Sequence, residues 1–215
     1  TLARMRALAQ RGWKEEDREL TRFALEGAKH PVAAVRYMAQ LALGALRDDR
    51  GVTAQVAAAG DGVKMVREAA RWGLRQTLLD DKGWDLVFAQ ARQGDDRTRE
   101  TIAGALVMRA DAVMSRSSVG FGRLGQALDR MMNEDAAPGV RAWAARAAWN
   151  WWIYNPPVRE AVNAAVMRAL EREEPSVLVE NALRYQLEAL FIANGQRANG
   201  SKEHQYPELS QLFER

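Results

Sequence analysis

The sequence predicts an all-α protein, a stack of about five antiparallel helical hairpins. Three observations carry that reading. The composition is rich in good helix formers, with 38 Ala and 26 Arg among 215 residues and only 6 Pro. A seven-residue mark of turn residues followed by Val-Arg recurs along the chain, on a period of roughly 30 to 40 residues. After each mark, small or apolar residues return at offsets that share one helical face.

The units follow in order. The first spans about 15–47: an amphipathic run from Glu19 to Ala28 carries Leu20, Phe23, Ala24 and Gly27, and His30-Pro31-Val32-Ala33-Ala34-Val35-Arg36 opens the second helix. The second spans about 51–79. Its first helix, Val52 to Ala59, is short and stops at Gly60, and its mark is Asp61-Gly62-Val63-Lys64-Met65-Val66-Arg67. The third spans about 83–114, with Leu86, Val87 and Phe88 on its first helix and a looser mark, Asp95-Asp96-Arg97-Thr98-Arg99, that puts Thr where Val stands elsewhere. The fourth spans about 119–152, with Leu124, Leu128 and Met131 before Asp135-Ala136-Ala137-Pro138-Gly139-Val140-Arg141. The fifth spans about 157–194, with Val162, Val166 and Leu170 before Glu174-Pro175-Ser176-Val177-Leu178-Val179-Glu180. Residues 1–194 thus read as one repeat domain, and 195–215 as a polar tail or the start of a next element.

Each position has a physical reason. Asp61, Asp95 and Asp135 fall at or near a helix start, where a carboxylate can cap and meets a favourable dipole. Pro31, Pro138 and Pro175 fit a first turn, where the missing N–H costs nothing. With Arg36 as the register, the equivalents are Arg67, Arg99, Arg141 and Glu180, and seven residues later come Leu43, Leu74, Leu106, Ala148 and Leu187. One hairpin cannot bury its apolar stripe alone, whereas stacked hairpins share a continuous core.

The Pro/Asp turns, the Val35-Arg36, Val66-Arg67 and Val140-Arg141 pairs and the Ala-rich faces after them resemble the HEAT and HEAT-like repeats. The resemblance covers residues 15–194 and implies an α-solenoid, and solenoids offer long concave faces on which a partner can bind. Thr98 and Glu180 depart from the pattern. The recurring arginines would line up from unit to unit, either pairing with acids such as Asp48, Asp49, Asp80 and Asp81 or forming a ligand-facing row. Metal enzymes with HEAT-like repeats use His-Glu pairs, and this chain has no His-Glu dipeptide. The Trp, Arg and acid of HEAT-like DNA glycosylases find no match either, since Trp151-Trp152 is followed by Ile153 and Tyr154.

Other features narrow the function. The absence of Cys excludes disulfide scaffolds, thiol enzymes, iron–sulfur clusters and c-type haem attachment. A net charge of +3 is modest for a nucleic-acid protein. No apolar stretch is long enough to span a bilayer. Gly120-Phe121-Gly122-Arg123-Leu124-Gly125 fits G-x-G-x-x-G only in letters, because no strand precedes it. His30 and His204 converge with no second ligand, and no base is placed beside Ser115, Ser117 or Ser118.

The Trp-rich run from Trp143 to Tyr154 is either core or a set of exposed anchors. Its continuation through Asn155-Pro156-Pro157 to Leu190-Phe191 is similar to helical-repeat regions of large exported bacterial proteins that carry c-type haem. Thr1 opens the chain inside an apparent helix, which reads as a piece of a longer protein.

The leading expectation is therefore a non-enzymatic, cofactor-free scaffold for a protein partner or for other domains of the parent chain. Its candidate partner-binding residues are Arg36, Arg67, Arg99, Arg141, Trp149, Trp152 and Tyr154. Two alternatives stand beside it: nucleic-acid binding through the Arg row and Trp cluster, and an accessory role in an exported haem-containing electron-transfer protein. The compartment, cytoplasmic or exported, is left open.

Overall fold

A computed structural model describes residues 18–77, 79–107, 121–154, 159–172 and 176–185. Helices α1 (Arg18–Gly27) and α2 (Ala33–Leu46) form the first hairpin. A 3-10 turn, Asp49–Gly51, leads into α3 (Val52–Ala58), which pairs with α4 (Lys64–Gln76). Then come α5 (Asp81–Gln93) with α6 (Asp96–Leu106), and α7 (Phe121–Asn133) with α8 (Pro138–Tyr154). Helix α9 (Arg159–Glu171) precedes α10, residues 177–185. No strand occurs among the described residues.

Short polar side chains set where the helices begin. The Asp80 carboxylate accepts from the Gly83 N–H at 2.7 Å, and Asp95 from the Thr98 N–H at 2.8 Å, satisfying donors that an open helix end leaves unpaired. In three other turns the first residue of the mark accepts from the backbone two residues on. His30 Nδ1 takes the Val32 N–H, Asp61 that of Val63, and Asp135 that of Ala137. Asp48 caps the 3-10 turn through the Arg50 N–H and also accepts from the Thr21 hydroxyl, which fastens α1 to that turn.

The helices lie in two layers. The second helices stack α2 on α4 on α6 on α8, and the first helices stack α3 on α5, α5 on α7 and α7 on α9. The fold is an α-solenoid. The shared core explains the register seen in the sequence. Val35, Val66, Thr98, Val140 and Val179 are all buried, as are Leu43, Leu74, Leu106 and Ala148. Each large aliphatic side chain so buried stabilises by about 1.5–3 kcal/mol. Thr98 takes the valine position because its hydroxyl donates to Asp95 at 2.6 Å, leaving its methyl group to the core.

The contact of α2 with α4 is the most extensive between any two of the described helices. Two glycines make it possible. A Cβ on Gly44 would lie 2.6 Å from the Gly73 Cα and 2.7 Å from the Trp72 ring. Beneath this crossing lies a buried polar set. Gln55 and Thr77 exchange a hydrogen bond at 3.0 Å, and Gln40 reaches the Ala54 carbonyl only at 3.5 Å.

Candidate functional site

The four register arginines build one repeated motif. Nη1 of each reaches back to its own turn: Arg36 to the His30 and Pro31 carbonyls, Arg67 to those of Asp61 and Gly62, Arg141 to those of Asp135 and Ala136, and Arg99 to that of Gly94. Among the described residues, two of them are seen to reach forward to the next unit in a bidentate fork. Arg36 donates to Asp61 at 2.7 and 3.0 Å, and Arg99 to Asp135 at 2.8 and 3.0 Å.

The acids are thus Asp61 and Asp135, within the following unit's turn. They are not the helix-ending Asp48, Asp49, Asp80 and Asp81 that sequence order brought forward. Asp48 already serves its own turn and pairs with Arg50. The hydrogen bonds from Arg36 hold the Asp61 carboxyl below its ordinary range, helped by the Val63 N–H and opposed by burial. Asp48 falls to about 2, chiefly through its hydrogen bonds from Arg50. Asp95 is lowered by its bonds from Thr98.

The same motif leaves other cations of the second layer facing outward. A cleft of about 80 Å³ lies between α4, α6 and α8. Helix α4 lines it with Lys64, Arg67, Glu68 and Arg71, and α6 with Arg97, Glu100 and Thr101. Trp143 of α8, half-buried, closes one side. The Arg71 guanidinium carbon stands 4.7 Å from the Trp143 ring centroid and that of Arg146 5.0 Å, so two cations rest on one indole. Arg71 also pairs with Glu68. Arg75, one turn deeper, donates to the Gly104 carbonyl at 2.6 and 3.2 Å, and burial pulls its pKa below the ordinary arginine value, with Arg71 adding to the effect. Glu100 turns its carboxylate onto Gly139, in the first turn of α8, where the helix dipole favours an anion.

The outer surface of the first layer has a different character. Arg123 pairs with Asp85 at 2.7 Å and covers Phe88, and Arg168 pairs with Asp129 at 2.6 Å, so cations there join neighbouring helices.

Of the residues singled out from sequence, Arg36, Arg67, Arg99 and Arg141 run along the turn edge of the stack, and only Arg67 also lines the cleft. Arg141 is 7% exposed. The side chains of Trp149, Trp152 and Tyr154 lie outside the described residues, as do Ser115, Ser117, Ser118, Gly120, His204 and the segment 195–215. Arg71, Arg97 and Lys64 escaped sequence reasoning. The signal for Arg71 was its place four residues after Arg67 on a polar helix face. Among the described residues no group of three or more His, Cys, Asp or Glu is placed to hold a metal ion, and no helix is long and apolar enough to cross a membrane.

No family model matches the chain, and no curated protein matches it. Among solved structures it is similar to a designed armadillo repeat protein in complex with the peptide (KR)4, with 15% identity and a TM-score of 0.47, over 87% of this chain and 90% of that one.

Proposed function

We propose that this chain is a non-catalytic scaffold of HEAT-like type that binds a protein partner on its layer of second helices. The observation that carries the reading is the cleft between α4, α6 and α8. It combines outward cations with a half-buried Trp143, the residue types that dominate binding energy at interfaces. Trp72, 38% exposed on the same layer, extends the surface toward the first unit. Close packing of α2 on α4 favours this layer as the inner curve of the stack, and an inner curve offers a long continuous surface. In this reading Arg36, Arg67, Arg99 and Arg141 keep the units in register while their neighbours meet the partner. Trp149, Trp152 and Tyr154 are candidate anchors at the far end of α8.

The test is a selection of unstructured peptides from a random display library against the whole chain. Binders are then measured against Met65→Asp on the second layer and Gln126→Glu on the first, both exposed positions, with circular dichroism and melting showing that each variant is folded. The expected result is binding lost with the former and kept with the latter. Binders that ignore the second layer, or no binders at all, would overturn the proposal.

A further inference from the structure

We infer that the cleft between α4, α6 and α8 recognises a carboxylate-rich, extended segment of a protein partner. The inference rests on the scaffold reading and adds the chemistry of the partner. Its starting point is a separation of charge between the layers. Helices α2, α4, α6 and α8 hold nine basic against three acidic side chains, whereas α1, α3, α5, α7 and α9 hold eight against seven. The described turns lean the other way, with seven acidic against four basic side chains, and Asp61, Asp95 and Asp135 among them are occupied as caps.

Within the positive layer, the cations at the cleft are only partly compensated: Arg71 has Glu68, whereas others there have no ion-pair partner among the described residues. Arg36 and Arg99 are forked to carboxylates. Lys64 and Arg97 form no ion pair among the described residues, and both are exposed. Arg146, exposed on α8, has Trp143 as its partner, which leaves its positive charge unneutralised. Arg71 is held between Glu68 and the Trp143 ring, so its guanidinium is already ordered before a ligand arrives. An ordered guanidinium matches a carboxylate with less entropy to lose.

Size and spacing choose among anions. A cleft of about 80 Å³ has room for a carboxylate side chain or a few waters. Glu68 and Glu100 line the cleft together with the cations, so an unbroken phosphate backbone laid along it would meet two repulsive points. An extended peptide places same-side residues roughly 6.5–7 Å apart, and can set its carboxylates against the cations while passing small polar residues over the glutamates. Charge complementarity of this kind fixes specificity and on-rate.

The test is fluorescence anisotropy with the full chain and three labelled probes: a twelve-residue peptide of alternating Glu and Ser, its Lys-Ser counterpart, and a mixed-sequence single-stranded DNA of similar length. The Glu-Ser peptide should bind, the Lys-Ser peptide should not, and added salt should weaken the complex. Arg97→Glu and, separately, Lys64→Glu should each weaken it about tenfold, while Lys82→Glu on the first layer leaves it unchanged. Circular dichroism and melting of each variant show that it is folded. Two outcomes overturn the acidic-partner inference but leave the scaffold reading intact. One is no binding of the Glu-Ser peptide while library peptides still map to the second layer, and the other is equal binding by the Lys-Ser peptide. DNA binding tenfold tighter than the peptide through Lys64 and Arg97 overturns it in favour of nucleic acid.

Discussion

Removing the Asp135 side chain tests whether the arginine–aspartate forks hold the stack together. Asp135→Ala deletes both bonds from Arg99 and the cap on the Ala137 N–H. A hydrogen bond to a charged group contributes about 1.5–3 kcal/mol, and a helix-start cap about 1 kcal/mol. The side chains are only 17% and 9% exposed, so the pair is more than a surface contact. Arg99 nonetheless keeps the Gly94 carbonyl and Asp96, and water can reach it, which removes the worst penalty of an orphaned buried charge.

The expected cost is therefore about 2–3 kcal/mol. Asp135→Asn keeps the cap and a neutral hydrogen bond, and should cost about half as much. Because repeat stacks can unfold by parts, the decisive assay is native-state hydrogen exchange beside urea unfolding. Protection should fall at the turn between α7 and α8 and along α6, while α2 stays protected. A loss below about 0.5 kcal/mol with unchanged protection, or equal losses for Ala and Asn, would refute the reasoning.

Three further outcomes follow from the same geometry. Asp48, Asp61 and Asp95 have lowered pKa values in the folded state, so the stability they supply is present above the unfolded carboxylate value and lost as pH falls through the folded one. Stability of the wild type should therefore decline from about pH 4 toward pH 2, and Asp61→Asn should show a shallower decline over that range by urea titration at each pH. Gly44→Ala gains about 1 kcal/mol of helix propensity but drives a methyl group into the Gly73 backbone and the Trp72 ring, so a net destabilisation of about 1–2 kcal/mol is expected by urea unfolding. Gln40→Met should raise stability by about 1 kcal/mol, read as a melting shift of roughly 2–4 °C, because the Gln40 Oε1 is buried without a hydrogen-bond partner among the described residues.

The periodic parts of the molecule were legible in the sequence, because a repeat prints its core once per unit. The valine before each register arginine, its threonine stand-in at 98 and the leucine seven residues on are core positions by simple helical arithmetic. The all-α fold followed from them. The offset of six between the turn and its arginine also had a structural meaning, since it is the reach of a guanidinium back to its own turn carbonyls. What sequence order misjudged was the acid on the far side of the fork. Asp48 and Asp80 are near in sequence to the helix ends, but Asp48 pairs with Arg50 of its own turn and Asp80 serves the Gly83 N–H. Asp61 and Asp135 also accept a backbone N–H from their own turns, yet a carboxylate has lone pairs to spare, and stacking brings those within reach of Arg36 and Arg99. The cleft was less legible still, because it joins side chains from three hairpins.

Charge shows why layer, rather than position along the chain, is the right unit of reading. Counted by segment, residues 1–50 hold the whole excess of positive charge and the rest of the chain is balanced. Counted by layer, the excess belongs to the second helices, while the first helices are nearly neutral and the turns acidic. The first count covers the whole chain and the second only helices α1 to α9 and the described turns, but a partner meets a layer and never a segment. The acids that cancel the arginines in the first count are held in the turns as caps and forks, directed at backbone N–H groups and guanidiniums of the fold. They neutralise the chain as a whole and leave Lys64, Arg97 and Arg146 facing outward. A modest net charge is therefore compatible with a locally cationic surface, and such a surface, interrupted by Glu68 and Glu100, suits a discontinuous acidic segment better than a uniform polyanion.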